Sequence, residues 1–389
     1  MKILFVEAVQ NYGGARKSTV ELAGRLQEKD HGVKIIDFWG TCEPFVKAME
    51  ERGVSYAILD KRQTPVILTS SNKLKKFLNY VKYVQLLLSY RKKVKLLIND
   101  FQPDLIIVNN TKTLSILSKS RNYKIAFFAR GWFLPKTVTR VNTFLIKKLT
   151  DIYIGVSQST RQAIFAGGFA PLEDIYTVPN AIDYAKLLND FKNKENTVNW
   201  GAEQTDRPFV IMHCGGFLPT KGQNITIEIA KKLKHENVNF KILLVGIIYK
   251  GGASQKYYDK IINQIKAEQL EEYFEIILNK SDVLEYFEKM DVLLHPSATE
   301  GLPRVVMEAM AFGKPVIGNA VGGMTDYILH GFTGYLTNFN AVEDYIRYCD
   351  VLQKDKELYG FISKNASELI KNSYTADNQI EQLLKIKIK

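Results

Sequence analysis

The stretch His295 to Gly318, HPSATEGLPRVVMEAMAFGKPVIG, decides how the chain is read. Val292 to His295 end an apolar strand, Pro296 to Leu302 form a loop, and Pro303 suits the first helical position, where its missing N–H costs nothing. The helix is expected to run to Phe312. Gly313 then fits the left-handed residue beyond a helix end, and Pro315 stops continuation before the apolar Val316 and Ile317. Two carboxylates stand in this unit: Glu300 on the loop, beside the amides of Gly301, Leu302 and Arg304, and Glu308 further along the helix. Such a helix start suits a phosphate or a polar sugar. Spacing alone also allows a plainer reading, in which Glu300 complements the helix dipole and Glu308 forms an i,i+4 pair with Arg304.

Upstream, the same alternation of apolar strand and helix recurs. Strands are expected at Lys2 to Val9, Val33 to Phe38, Val54 to Leu59, Leu105 to Val108, Ile125 to Ala129, Asp151 to Val156 and Ile175 to Val178. Helical material lies between them, at Ser18 to Gln27 after the turn NYGGAR (Asn11 to Arg16), at Leu74 to Asp100, and after Ser157, a helix cap. Continuous apolar strands separated by helices mark a parallel sheet covered on both faces. From Lys186 to Pro208 the chain turns polar and loses its apolar period, which places a domain junction there. A second series follows: strand Phe209 to His213, turn Gly215 to Gly222, helix Gln223 to Leu233, strand Lys241 to Val245, helix Ser254 to Ala267, strand Phe274 to Leu278, helix Asp282 to Lys289. The expected domains are therefore 1–185, a linker at 186–207 and 208–375, with 376–389 following as a terminal segment. Doubly wound sheets bind ligands at the carboxyl ends of their strands, so the Gly13-Gly14 turn, the Gly215 to Gly222 turn and the Glu300 loop are expected to line one cleft.

Composition bounds the chemistry. With 389 residues, 46% of them hydrophobic and 24% charged, the chain is long enough for two ordinary cores. Met1 to Val9 is too short for a signal peptide or a membrane span, and no stretch reaches eighteen apolar residues. Cys42, Cys214 and Cys349 are widely spaced and form no CxxC, so neither a disulfide framework nor a zinc site is indicated, and a cytoplasmic protein is expected. The five histidines show no HExxH spacing and no DxD pair is present, which favours a mechanism without metal. The net charge of +12 calls for an acidic partner. Lys73 to Lys95 mixes basic and large apolar residues with no acid, and Lys136 to Lys148 repeats the pattern. Such helices suit an anionic membrane surface, or else pack on a core with a solvated lysine face.

Set between Pro-Ser and Glu-Ala, and followed by VGGMTDYILHGFTGYL (Val321 to Leu336), the pair Glu300 and Glu308 resembles the signature of the retaining, nucleotide-sugar-dependent glycosyltransferases of family 4. The resemblance covers nearly the whole chain. It implies the GT-B fold, an α/β architecture of two doubly wound Rossmann-like domains facing across a cleft, with the acceptor on the first, the donor on the second, and a terminal helix at 376–389 that packs back on the first domain. By the family's pattern Glu308 accepts from ribose hydroxyls and Glu300 from donor-sugar hydroxyls, while backbone at Gly301, Leu302, Arg304 and Val305 receives sugar or phosphate oxygens. GGFLPTKG (Gly215 to Gly222) is similar to the family's phosphate-binding segment: Gly216, Lys221 and Gly222 match, whereas Phe217 stands where many members carry arginine. Lys221 would then carry more of the leaving-group charge, helped by Arg304 or Arg16. Gly13 and Gly14 resemble the glycine loop that approaches the donor diphosphate. Arg130 stands where many members have a histidine. It is expected to face a charged group, on the acceptor, with Arg16 and with Trp132 offering a stacking face. The base is expected near Leu278 to Ser281, with Leu278 and Asn279 in contact.

The implied activity is metal-independent, retaining transfer of a hexosyl or N-acetylhexosaminyl group from a nucleoside diphosphate sugar, a UDP-sugar rather than a GDP-sugar, to a glycan or lipid-linked hydroxyl. Glu300, Lys221 and Arg130 are the expected catalytic residues, and no cofactor is expected. The setting is cell-surface polysaccharide or glycolipid synthesis in a bacterium, at the inner face of the membrane. The alternatives are a sugar phosphorylase on the same fold and a basic, non-enzymatic nucleic-acid-binding protein; no nucleic-acid module is recognisable.

Overall fold

A computed structural model describes residues 1–8, 12–40, 42–61, 73–131, 139–192, 207–249, 252–280 and 283–388. The chain divides into two compact units, Met1–Pro179 with Gln379–Lys389, and Asn180–Asn378.

The first unit runs β1 (Lys2–Glu7), α1 (Gly14–Glu28), β2 (Gly32–Asp37), α2 (Glu43–Glu51), β3 (Ser55–Ile58), α3 (Lys73–Phe101), β4 (Leu105–Val108), α4 (Thr111–Leu114), β5 (Lys124–Ala129), α5 (Arg140–Leu149), β6 (Ile152–Gly155), α6 (Gln158–Ala166) and β7 (Ile175–Thr177). All pairings are parallel, in the order β3-β2-β1-β4-β5-β6-β7. Alternate strand residues explain why helices cover the sheet: Leu4, Val6, Ile106, Val108, Ile125 and Phe127 share one core with Tyr90, Val94 and Ile98 of α3, Leu114 of α4, Ile146 and Leu149 of α5, and Ile164 of α6. Four successive helices therefore lie on one face, as right-handed crossovers in one direction require. Local caps agree with the sequence. Ser157 accepts from Thr160 N, and Asn110 accepts from Thr113 N.

The second unit runs α7 (Tyr184–Lys192), β8 (Phe209–Cys214), α8 (Gln223–His235), β9 (Phe240–Gly246), α9 (Ala253–Ala267), β10 (Phe274–Leu278), α10 (Leu284–Lys289), β11 (Val292–His295), α11 (Arg304–Ala311), β12 (Val316–Asn319), α12 (Met324–Tyr327), β13 (Tyr335–Thr337), α13 (Val342–Lys354) and α14 (Lys356–Ser373). Its parallel sheet has the order β10-β9-β8-β11-β12-β13. Phe209, Ile211, Ile242, Leu244, Val292 and Leu294 pack against Ile227 and Leu233 of α8, Ile261 of α9 and Tyr345 of α13. The last helix, α15 (Ala376–Leu384), enters the first unit at Gln379, whose Nε2 donates to Pro179 O.

The expected doubly wound sheets are both present. Some details differ. Pro303 is the N-cap of α11 and not its first residue, because its ψ of 123° is extended, and Phe312 is the C-cap. Helix α1 begins at Gly14, four residues before the expected Ser18. The units part after Pro179 and after Asn378, against expected boundaries at 185 and 375. Residues just past Pro179 are bonded into the second unit: Asn180 Nδ2 donates to Leu302 O at 2.7 Å, and Ile182 bridges Thr375. Most of the linker expected at 186–207 lies outside the described residues.

Candidate active site

In the second sheet β8 and β11 are neighbours, and the chain leaves them in opposite directions, β8 toward β9 and β11 toward β12. Loops that follow such strands flank a crevice at the carboxyl edge. The β8 loop closes in a short 3₁₀ turn at Pro219–Lys221 and enters α8 through Gly222, left-handed at φ 76°. It is fastened to the β11 loop by Ala298 N donating to Thr220 O at 2.8 Å. A Cβ on Gly222 would lie 2.2 Å from Pro296 O, so only glycine allows the two backbones to meet. This contact puts Lys221 Nζ 2.6 Å from Glu300 Oε1, and His295 Nε2 lies 2.7 Å from the same oxygen. A carboxylate only accepts, so Nε2 carries the hydrogen.

Glu300 is 8% exposed. Burial pushes its carboxyl up, but the charges and hydrogen bonds of Lys221 and His295 together outweigh burial and hold it well below the usual carboxylate range. His213, at the end of β8, bonds Thr226 Oγ1 through Nδ1 at 2.7 Å. Burial, with the charges of His295 and Lys221, pushes it down to about 3, so it is neutral near pH 7. The Glu300 carboxylate thus stands between Lys221 and His295, near the neutral His213 imidazole.

The downstream glycines explain how Glu300 is aimed. Gly323 N donates to Gly301 O at 2.9 Å, and a Cβ on Gly322 (φ 52°) would sit 1.9 Å from Glu300 O. Leu302 is buried and held through its carbonyl by Asn180. Arg304 opens α11 and donates to Ala181 O at 3.0 Å, with Val305 beside it in the first turn. Arg304 NH2 lies 3.7 Å from Glu308 Oε1, inside ion-pair range but beyond a hydrogen bond. The plain i,i+4 pair exists only loosely, on a carboxylate that is 7% exposed.

Sequence reasoning missed Tyr249. A Cβ on Gly216 would lie 2.4 Å from its ring, so the ring packs on the glycine backbone. Burial pushes the Tyr249 hydroxyl up, while the Lys221 charge pulls it down and Glu300 pushes it up, which places all three in one electrostatic neighbourhood. Phe217, at the position of the missing arginine, is fully buried against Tyr258 at 4.9 Å. Its side chain belongs to the core. Tyr249 gave no pattern in sequence because it follows β9 within a Gly- and Lys-rich turn. Leu278 ends β10, and Asn279, left-handed at φ 55°, accepts from Ile248 N at 3.0 Å, which joins it to the loop that carries Tyr249. Ser281 lies outside the described residues.

In the first unit the corresponding switch lies between β1 and β4. Gly13 caps α1 and Gly14 opens it; a Cβ on Gly13 would meet nothing within 4 Å. Arg16, expected toward a ligand, is instead fully buried: NH2 bonds Asp37 at 2.6 Å and the guanidinium lies 4.1 Å from the Phe45 ring. It stands in the first turn of α1, and Asp37 at the end of β2 pairs it inside the fold. Arg130 follows β5 with its guanidinium 3.9 Å from the Phe128 ring. Close by is Glu7, buried at the end of β1, accepting from Thr19 at 2.7 Å and from Asn109 at 2.8 Å. Burial pushes the Glu7 carboxyl up against those hydrogen bonds and the charges of Arg16 and Arg130. The sequence signal for Glu7 is an acid inside the apolar run KILFVEAV. Trp132 lies outside the described residues.

The family model for Glycosyltransferase Family 4 matches residues 12–186, and the model for Glycosyl transferases group 1 matches residues 194–369. The chain is 28% identical over 215 residues to the N-acetyl-alpha-D-glucosaminyl L-malate synthase of Bacillus anthracis, covering 54% of this chain and 53% of that protein. It is 25% identical over 241 residues to the capsular polysaccharide biosynthesis glycosyltransferase CapM of Staphylococcus aureus, 60% of each chain. The chain spans about half the length of the curated relatives it matches. Among solved structures, Anabaena HepE in complex with UDP and glucose superposes with a TM-score of 0.77 at 19% identity, over 99% of this chain and 98% of that one.

Two outcomes follow from the geometry. Gly322→Ala forces a left-handed alanine against the Glu300 carbonyl and is expected to cost about 1–3 kcal/mol in denaturant unfolding; an unchanged midpoint would remove Gly322 from the support of the loop. Both shifted groups have folded values below their ordinary ones, so each adds stability above that ordinary value and loses it as pH falls: His213 below about 6.5 and Glu300 below about 4.5. Stability should therefore decline as pH drops from about 7 toward 4, and His213→Gln should flatten the upper part of the decline. A flat wild-type profile over that range would contradict a buried neutral His213.

Proposed function

The chain belongs to the GT-B glycosyltransferases of the family 4 type, and from that premise we propose that it moves a hexosyl or N-acetylhexosaminyl group from a UDP-sugar to a hydroxyl, with retained configuration and without metal. The observation that carries this reading is the junction of Lys221, Glu300 and His295 at the switch point of the second sheet, with Glu308 buried on the adjoining helix. Both bonds to Glu300 fall on Oε1. Oε2 is the acceptor for a sugar hydroxyl. Lys221 has three ammonium donors, one of them on Glu300, and turns the others to the diphosphate. Glu308, buried on α11 with Arg304 NH2 3.7 Å away, accepts from the two ribose hydroxyls in charge-assisted bonds. Solved complexes of HepE hold UDP and UDP-glucose, which supports a uridine nucleotide here.

In the transfer the bond from the anomeric carbon to the phosphate oxygen breaks, and its electron pair leaves with the diphosphate. Lys221 and the first amides of α11 stabilise charge where it develops. The acceptor oxygen bonds to the anomeric carbon on the same face, and its proton passes to the departing diphosphate. Arg130 and Trp132 serve the acceptor, a glycan or lipid-linked hydroxyl in polysaccharide or glycolipid synthesis. The similarity to CapM supports that setting.

Calorimetric titration of UDP and a panel of UDP- and GDP-sugars tests the donor assignment. Wild type should bind a UDP-sugar, and Glu308→Ala should weaken UDP by about 10- to 100-fold, the size of a lost charge-assisted hydrogen bond. Lys221→Met should weaken UDP and reduce turnover more than it raises KM. If no nucleotide sugar binds the wild-type protein, the reading fails.

A further inference from the structure

Charge is distributed very unevenly along the first unit. Residues 61–150 carry nineteen Lys or Arg and only two acids, Asp100 and Asp104, a net of +17 within a chain of +12, so everything outside this segment is net −5. The segment contains α3 and α5. Both pack on the same face of the first sheet, through Tyr90, Val94 and Ile98 and through Ile146 and Leu149.

Their outer faces are not what a solvated helix presents. On α3 the side chains turned away from that core include Leu78, Val81, Val84 and Leu88, spaced i, i+3, i+6, i+10, with Leu78 51% and Leu88 60% exposed. Arg91, Lys92 and Lys95 continue the same stripe, all exposed. On α5 Val141 and Phe144 are 68% and 59% exposed, beside Arg140, Lys147 and Lys148, with Lys148 Nζ 5.3 Å from the Phe144 ring. A core-packed helix with a lysine face would show apolar residues inward and basic ones outward. Here the outward faces carry both.

We propose that the outer faces of α3 and α5 form a docking surface for an anionic lipid bilayer. Interleaved aliphatic, aromatic and basic side chains, free of acids from Lys73 to Asn99 and from Leu105 to Thr150, match a headgroup layer with acyl chains beneath it. A nucleic acid would use the charge and leave Leu78, Val81, Val84 and Leu88 in water. Among the described residues no helix is long and apolar enough to cross a membrane, so the attachment is to the surface. The inference is independent of the donor site in the second unit.

The test is flotation of the full chain with vesicles of phosphatidylcholine alone and of phosphatidylcholine with phosphatidylglycerol. Binding is expected only to the anionic vesicles and should be released by salt. Neutralising three charges together (Arg91→Gln, Lys92→Gln, Lys95→Gln) should weaken partitioning about a hundredfold, from roughly fivefold per basic residue. Val81→Ser with Leu88→Ser should weaken it while leaving salt sensitivity in place, and unchanged thermal unfolding of both variants shows that they fold. Three results would each overturn the proposal: equal binding to both vesicle types, no binding to either, or retention of duplex DNA without vesicle binding. So would a concentration-dependent dimer, measured by light scattering, that Val81→Ser with Leu88→Ser abolishes without any vesicle binding.

Discussion

The second unit depends on two backbone contacts that admit no side chain: Gly222 against the carbonyl of Pro296, and Gly322 against the carbonyl of Glu300. The first brings the loop after β8 to the loop after β11, and the second presses the following turn onto Glu300 from the other side. Between them the carboxylate has one position. The ion pair with Lys221 is then a consequence of loop packing more than its cause, which agrees with the small net worth of a partly buried pair once desolvation is counted. For the proposed transfer, holding both charges in place before a ligand arrives would remove an ordering cost from binding and from the charge-separating step.

A different constraint shapes the first unit. Its strand ends bury Glu7 and Asp37, and the bonds from Thr19, Asn109 and Arg16 absorb those charges inside the fold. Arg16 is paired with Asp37 inside the fold, and Arg130 lies over the Phe128 ring at 3.9 Å. The helices on the sheet face carry the excess positive charge outward. Polar chemistry at strand ends and basic, apolar helix surfaces are separate features of one sheet, and they call for partners of different kinds.

Much of this was legible in sequence because the parallel strands are continuous apolar runs with polar or glycine-bearing ends. Leu105 to Val108 and Phe274 to Leu278 coincide with strands to the residue. The Glu300 helix was placed to within a residue at each end, since Gly313 and Pro315 mark its stop. What escaped was set by tertiary contact. Arg16 resembles a loop cation in NYGGAR, yet Asp37, twenty-one residues on, draws it inward. Phe217 looked like a lost cation and is a core residue whose ring fills the space left by Gly246. Tyr249 belongs to the site only because Gly216 lets its ring lie on the backbone of another loop. No local pattern encodes a contact between loops thirty residues apart.

The most direct measurement is a crystal structure of the protein soaked with UDP. The account predicts the diphosphate within hydrogen-bond distance of Lys221 Nζ and both ribose hydroxyls on the Glu308 carboxylate, with Glu300 Oε2 facing the vacant sugar position. A nucleotide bound elsewhere, or one at this edge whose ribose does not reach Glu308, would contradict it.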